Sequence, residues 1–283
     1  MSIRQILVPI VGIGDAQRLL QNAFSIAARF KAHVVVCDTV PTDYPYVDPT
    51  GMMVGQVYED LTKQLLKQQD QMRTAARHQF ESAASNFGIR ISEIPQIDHA
   101  TATWISGADF RSVVWALGRL ADLIIARRPV GNGLLDKEIV ETALFSNRRP
   151  VLLVPSKAAH LDHGAAIAWN GSLEAATALQ RSLEILSNER PVTVIQVGDI
   201  KPGGLEARAA VAYLECHGFK ASAKFVPDAP KATTEILLKA AAEAQAGILV
   251  AGAYSHSRVR EAILGGVTVS LLEKAHIPLF FAN

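Results

Sequence analysis

The chain uses one run of segments twice, and that repetition limits its fold more than any other feature. Val11-Gly12-Ile13-Gly14-Asp15-Ala16 aligns without a gap with Asn170-Gly171-Ser172-Leu173-Glu174-Ala175. Ala121-Asp122-Leu123-Ile124-Ile125-Ala126 aligns with Ala246-Gly247-Ile248-Leu249-Val250-Ala251. Arg149-Pro150-Val151-Leu152 aligns with Ile277-Pro278-Leu279-Phe280. A repeat of this size implies two similar domains, residues 1–156 and 164–283, joined by a short polar linker that holds His160. The two copies are expected to pack as the halves of a two-fold dimer would, an intramolecular pseudo-dimer that also allows a homodimer.

Inside each copy, short apolar runs alternate with helical periodicity. In the first copy the runs at 6–10, 34–37, 123–126 and 151–154 read as buried strands, and the apolar–polar alternation of 89–97 reads as the third strand. In the second copy strands are expected at 165–169, 192–197, 219–226, 248–251 and 278–282. Helical spacing fills the gaps, with the longest run at 61–87. Asp15 and Ser172 stand as N-caps, Gly88 and Gly218 as C-terminal stops. The expected class is α/β: two tandem doubly wound, Rossmann-like domains, each a five-stranded mainly parallel sheet with helices on both faces. Residues 41–58, with Tyr44, Tyr46 and Tyr58, are long for a connection and read as a lid or an interface. Trp104, Trp115 and Trp169 are expected in the core.

An apolar content of 49% with 19% charged residues suits a sizeable core. A net charge of +1 gives no electrostatic case for nucleic acid or an anionic membrane surface. Cys37 and Cys216 make no disulfide framework and fit a reducing compartment. No apolar run approaches the ~18 residues of a membrane span. The first residues lead straight into a strand without a signal-peptide core. These features together predict a cytoplasmic protein.

The chemistry concentrates at 246–268. An apolar strand breaks at Gly252, crosses a polar loop with Ser255, His256, Arg258 and Arg260, and resumes at Gly265-Gly266-Val267-Thr268 before a helical pattern. A strand, a glycine-marked loop and a helix start together hold phosphate, because glycine lets backbone N–H groups approach an anion that the helix N-terminus also attracts. Arg127-Arg128 reads as a contact for an anion of another kind, as surface charge or as an interdomain salt bridge. His160 and His163 have metal-like spacing but no further ligand nearby, so they read as linker. Cys216-His217 closes a helix and reads as structural. No nucleophile, base and orienting group stand together, and no phosphate-loop, His-x-Gly-His or pyrophosphatase motif occurs, so no catalytic residue is assigned.

On Gly252 through Thr268, Asn170-Gly171-Ser172 and His276-Ile277-Pro278-Leu279, the chain resembles the universal stress protein family in its tandem two-domain form. The resemblance implies a cytoplasmic stress-response protein that binds an adenine nucleotide, ATP above all and Mg²⁺ with it, and that regulates without catalysing. It implies a second-domain site of Ala168, Asn170, Val197, Gly252, Ser255, Gly265, Gly266, Val267 and Thr268. Phosphates would meet the N–H groups of Gly265, Gly266 and Val267, and the base would lie against Ala168, Asn170 and Val197. The chain departs from the family pattern at Ser255 (Gly expected), Gly266 (Ser or Thr expected) and Asn170 (Asp expected). In the first copy Val11 replaces the Asp and Arg127 the first loop Gly, so no nucleotide is expected there in the usual pose. These departures motivate two other readings: a non-nucleotide small-molecule or protein-interaction module, and a slow ATPase or transferase.

Overall fold

The computed structural model describes residues 3–11, 16–39, 55–106, 110–129, 134–155, 163–200, 203–228, 232–253 and 266–283. The first half runs β1 (Gln5–Ile10), α1 (Ala16–Phe30), β2 (His33–Asp38), α2 (Gly55–Asn86), β3 (Arg90–Ile91), β4 (Thr101–Ile105), α3 (Phe110–Leu117), β5 (Leu123–Arg127), α4 (Leu134–Glu141), a wider π-helical turn at Thr142–Ser146, and β6 (Val151–Val154). The second half runs β7 (Gly164–Trp169), α5 (Leu173–Ser182), β8 (Val192–Val197), α6 (Ala207–Cys216), β9 (Ala221–Val226), α7 (Thr233–Glu243), β10 (Ala246–Gly252), α8 (Gly266–Lys274) and β11 (Leu279–Ala282).

All eleven strands belong to one sheet, ordered β3-β4-β2-β1-β5-β6-β11-β10-β7-β8-β9. Read from each outer edge inward, the two halves share one order, except that β3 is added outside β4. Every pairing within a half is parallel. The seam is antiparallel, with Leu153 opposite Leu279, Leu152 opposite Phe280 and Val151 opposite Phe281. An antiparallel seam between two parallel sheets is what a two-fold axis produces, so the expected doubly wound α/β architecture is present twice, head to head.

The strands are apolar on both faces because helices cover both. Along β1, Ile6, Val8 and Ile10 point into one core and Leu7 into the other. At the seam Phe280 faces the first core and Phe281 the second, and both are fully buried. Each core therefore runs across both halves without a break. No helix among the described residues is long and apolar enough to cross a membrane.

Two expectations are corrected. The third full strand of the first half is Thr101–Ile105, not 89–97, of which only Arg90–Ile91 pairs, as a short edge. The alternation at 89–97 is a surface pattern: Ile94 and Ile97 are 68% and 82% exposed. Trp115 lies on the surface, under the Arg119 guanidinium 3.5 Å from its ring centre, so only Trp169 of the three tryptophans is buried. Asp15, His160 and most of the 41–58 segment lie outside the described residues, as do Ser255, His256, Arg258, Arg260 and Gly265.

Candidate functional site

In the second half β7 is flanked by β8 on one side and β10 on the other, so successive crossovers leave β7 in opposite directions. Such a switch point opens a crevice at the carboxyl ends of the strands. A cavity of about 250 Å³ lies there. Its floor is the ends of three strands: Ala168 and Trp169 of β7, Val197 of β8, and Ala251 and Gly252 of β10. Its walls are the first turns of three helices: Ser172 and Ala175 at α5, Thr233 and Leu237 at α7, and Gly266, Val267, Thr268 and Leu271 at α8.

The turn that delivers α5 is built from its own sequence. Gly171 sits at φ +71°, and a Cβ there would come 2.8 Å from Ile200 Cγ2 and 2.9 Å from the Leu205 carbonyl oxygen, so glycine is required twice over. The Asn170 side-chain oxygen accepts a hydrogen bond from the Ser172 amide at 3.1 Å. Ser172 Oγ in turn accepts from the Ala175 amide at 3.2 Å, capping α5 as expected. Trp169 Nε1 donates to the Leu205 carbonyl at 2.7 Å, which ties β7 to the start of α6. Gln196 Oε1 accepts from the Ala207 amide at 2.8 Å and satisfies an open donor of that helix.

Gly252 has a structural requirement of its own. A Cβ there would sit 2.6 Å from the Ala175 nitrogen and 2.6 Å from the Glu174 carbonyl carbon. The end of β10 thus packs directly on the backbone of α5's first turn. Gly266 is different: a Cβ there would meet nothing within 4 Å. Val267 is partly exposed and Thr268 is buried.

No charged side chain is among the described lining residues. The field comes from backbone: three helices point their amino ends at one cavity, where unpaired N–H groups and the aligned peptide dipoles favour negative charge. No described residue lining the cavity is a carboxylate, and no group of three or more His, Cys, Asp or Glu that could hold a metal occurs among the described residues.

Of the nine residues assigned from sequence, Ala168, Asn170, Val197, Gly252, Gly266, Val267 and Thr268 come together around this cavity, and Ser255 and Gly265 lie outside the described residues. Sequence reading missed Thr233 and Leu237, because no motif marks the start of α7 as facing β7. It also placed Trp169 in the core only, although Trp169 lines the cavity as well.

In the first half, two positions equivalent to cavity-lining residues carry ion pairs. Equivalent strand ends are the same number of positions apart in the two halves, Ile10 matching Trp169 and Asp38 matching Val197. Buried Asp38 pairs with Arg73 of α2 at 3.2 Å. Arg127, aligned with Gly252, pairs with Asp136 of α4 through two contacts of 2.6 and 3.3 Å. Arg128 reaches the other half, where its Nη1 donates to the carbonyls of Leu272 and Glu273 at 2.7 and 2.9 Å. The Cys37 thiol is pushed up to about 12, first by burial and then by the Asp38 charge, which makes it inert.

No protein-family model and no curated protein matches the chain. Solved structures do. A universal stress protein from Archaeoglobus fulgidus DSM 4304 superposes with a TM-score of 0.64 at 12% identity, over 99% of this chain and 98% of that one. A protein of unknown function from Pseudomonas aeruginosa PAO1 gives 0.56 at 15% identity, over 99% and 92%. A protein assigned to the universal stress proteins from Pseudomonas aeruginosa UCBPP-PA14 gives 0.53 at 15%, over 99% and 93%. At these identities the likeness is one of fold, and the fold is that of the universal stress proteins along nearly the whole chain.

Proposed function

We propose that the chain is a tandem universal stress protein of the cytoplasm, whose second half binds an adenine nucleotide and signals by occupancy without turnover. The observation that carries the reading is the convergence of three helix amino ends on one cavity at the switch point between β7 and β10. Such a field suits a phosphate chain, and ATP offers the most negative one among adenine nucleotides. The Ala168 and Val197 side of the cavity is apolar and suits a base. Magnesium would arrive with the phosphates.

Titration calorimetry with ATP, with and without magnesium, tests this. Saturable binding is expected, and no heat at millimolar nucleotide would overturn the reading. Gly266→Asp separates site from scaffold. The added Cβ meets open space, and an acidic residue at a helix amino end is favourable to the helix. The melting temperature should hold or rise slightly while affinity for ATP falls at least about tenfold, near 1.4 kcal/mol.

A second reading has its own support. At about 250 Å³ the cavity lies below the ~300–1,000 Å³ usual for ligand pockets, and none of its described lining residues is cationic. A smaller, less charged ligand would fit those two facts. Native mass spectrometry of the purified protein discriminates, since a retained mass other than AMP, ADP or ATP favours this alternative.

A further inference from the structure

Two arginines of the first half hold the far ends of two helices whose near ends line the second-half cavity. Arg128, just beyond β5, donates to the Leu272 and Glu273 carbonyls in the last turn of α8. Arg29, at the end of α1, donates through Nη1 to the Ile185 carbonyl and through Nη2 to the Leu186 carbonyl, both at 3.1 Å, in the turn that closes α5. That turn is continuous with the helix, because the Ser182 carbonyl accepts from the amides of both Ile185 and Leu186. At 1.5 Å per residue α8 spans about 12 Å and α5 about 14 Å. Each arginine therefore grips one end of a short rigid rod whose other end forms the cavity wall.

The contacts fit the places where they are made. Last-turn carbonyls lack intrahelical partners and carry the negative end of the helix dipole, so a guanidinium both satisfies and neutralises them. The arrangement runs one way. Position 253, which aligns with Arg128, is Ala253, and Asn188 stands where Arg29 has its counterpart. Neither residue can supply a guanidinium in return. Arg128 also leaves its Nε buried without a hydrogen-bond partner, a cost that its two bonds to α8 offset.

We propose that the first half is the positioning half of the molecule: Arg128 and Arg29 set the placement of α8 and α5, and through it the anion affinity of the second-half cavity. The part of the statement about affinity rests on the nucleotide reading above; the part about placement does not. Arg128 and Arg29 are positioning residues, since they touch no ligand.

The test uses the full chain, as wild type and as Arg128→Ala, Arg29→Ala, Arg128→Lys and a control, Arg149→Ala. Arg149 donates to the Arg119 carbonyl within the first half, so its loss removes a similar contact that touches neither rod. Two quantities are read: amide hydrogen exchange without ligand at Ser270 and Leu271, the amides that bond back to the first turn of α8, and the dissociation constant for ATP. In Arg128→Ala both amides should exchange faster than in the control, and affinity should fall about tenfold, within the range usual for coupling between sites. Arg29→Ala should act likewise on Ala175 and Ala176. Arg128→Lys should restore most of the effect, because a single Nη carries both bonds and an ammonium can replace it. Unchanged exchange in both alanine variants, or exchange no faster than in Arg149→Ala at matched stability, overturns the proposal. If wild type binds no ATP while exchange responds as expected, the nucleotide reading falls and the positioning role stands.

Discussion

Gly252 shows how a residue chosen for one reason can be required for another. In sequence it marks a phosphate-type loop. In the fold its missing Cβ is where β10 meets the backbone of α5. Gly252→Ala would force two backbones apart, and overpacking of this kind costs about 1–3 kcal/mol. The variant should lower the urea midpoint, so any loss of binding it causes reports damage to the scaffold. A variant as stable as wild type would show that the contact yields. A second residue-scale effect concerns His33, buried at the start of β2 with its Nδ1 2.8 Å from Thr101 Oγ1. Burial lowers its pKa from the ordinary value of 6.5, so the folded protein keeps it neutral. The unfolded chain then takes up more protons below pH 6.5. Stability from this group is fully present above that value and is lost as pH falls towards the depressed folded pKa. Between about pH 7.5 and 5.5 the urea midpoint of wild type should fall more than that of His33→Gln. Parallel curves would remove His33 as the cause.

Among the elements, α5 was the most legible and β4 the least. Asn170-Gly171-Ser172 carries a turn, a left-handed glycine and a cap in three residues, and each makes the local bond its chemistry suggests. Ser172→Ala should cost about 1 kcal/mol in chemical unfolding, the usual worth of an N-cap, and no change would mean that water replaces the hydroxyl. Thr101–Ile105 is hard to read because its alternation, Ala102 and Trp104 against Thr101 and Thr103, spans only four residues before Ile105 breaks it; it pairs along β2 over its whole length. The neighbouring Ile94 and Ile97 offered a better pattern on the wrong residues. The arginine contacts to α5 and α8 were beyond reach for another reason: they depend on how two halves sit together, which no local pattern encodes. Arg127-Arg128 was open between an anion contact, surface charge and an interdomain salt bridge. The structure divides the roles, with Arg127 closing its own half and Arg128 crossing to the other.

At the scale of the whole molecule, the duplication and the parallel pairing within each half are legible in the repeated segments, while the eleventh strand and the single continuous sheet are not. Both apolar cores pass through the seam at Phe280 and Phe281. Neither half can open there without exposing side chains of the other. Unfolding in urea should therefore be one cooperative transition, with tryptophan fluorescence and far-ultraviolet circular dichroism coincident. Two separated transitions would show that the halves are energetically independent despite the shared sheet.

The antiparallel pairing of β6 with β11 has a further consequence for how such a molecule would respond to a ligand. Two identical subunits meeting along that edge would carry two equal sites and could sharpen each other's occupancy, with a Hill coefficient above one. Here the edge is spent on an unlike partner encoded in the same chain, in which ion pairs stand at positions equivalent to two cavity-lining residues. On the nucleotide reading proposed above, stoichiometry would be one ligand per chain, with no second site of the same kind expected across the seam. Occupancy then rises as a simple hyperbola over about two decades of free ligand. Such a protein is a gauge of concentration, graded over a wide span, where a paired one could act as a threshold.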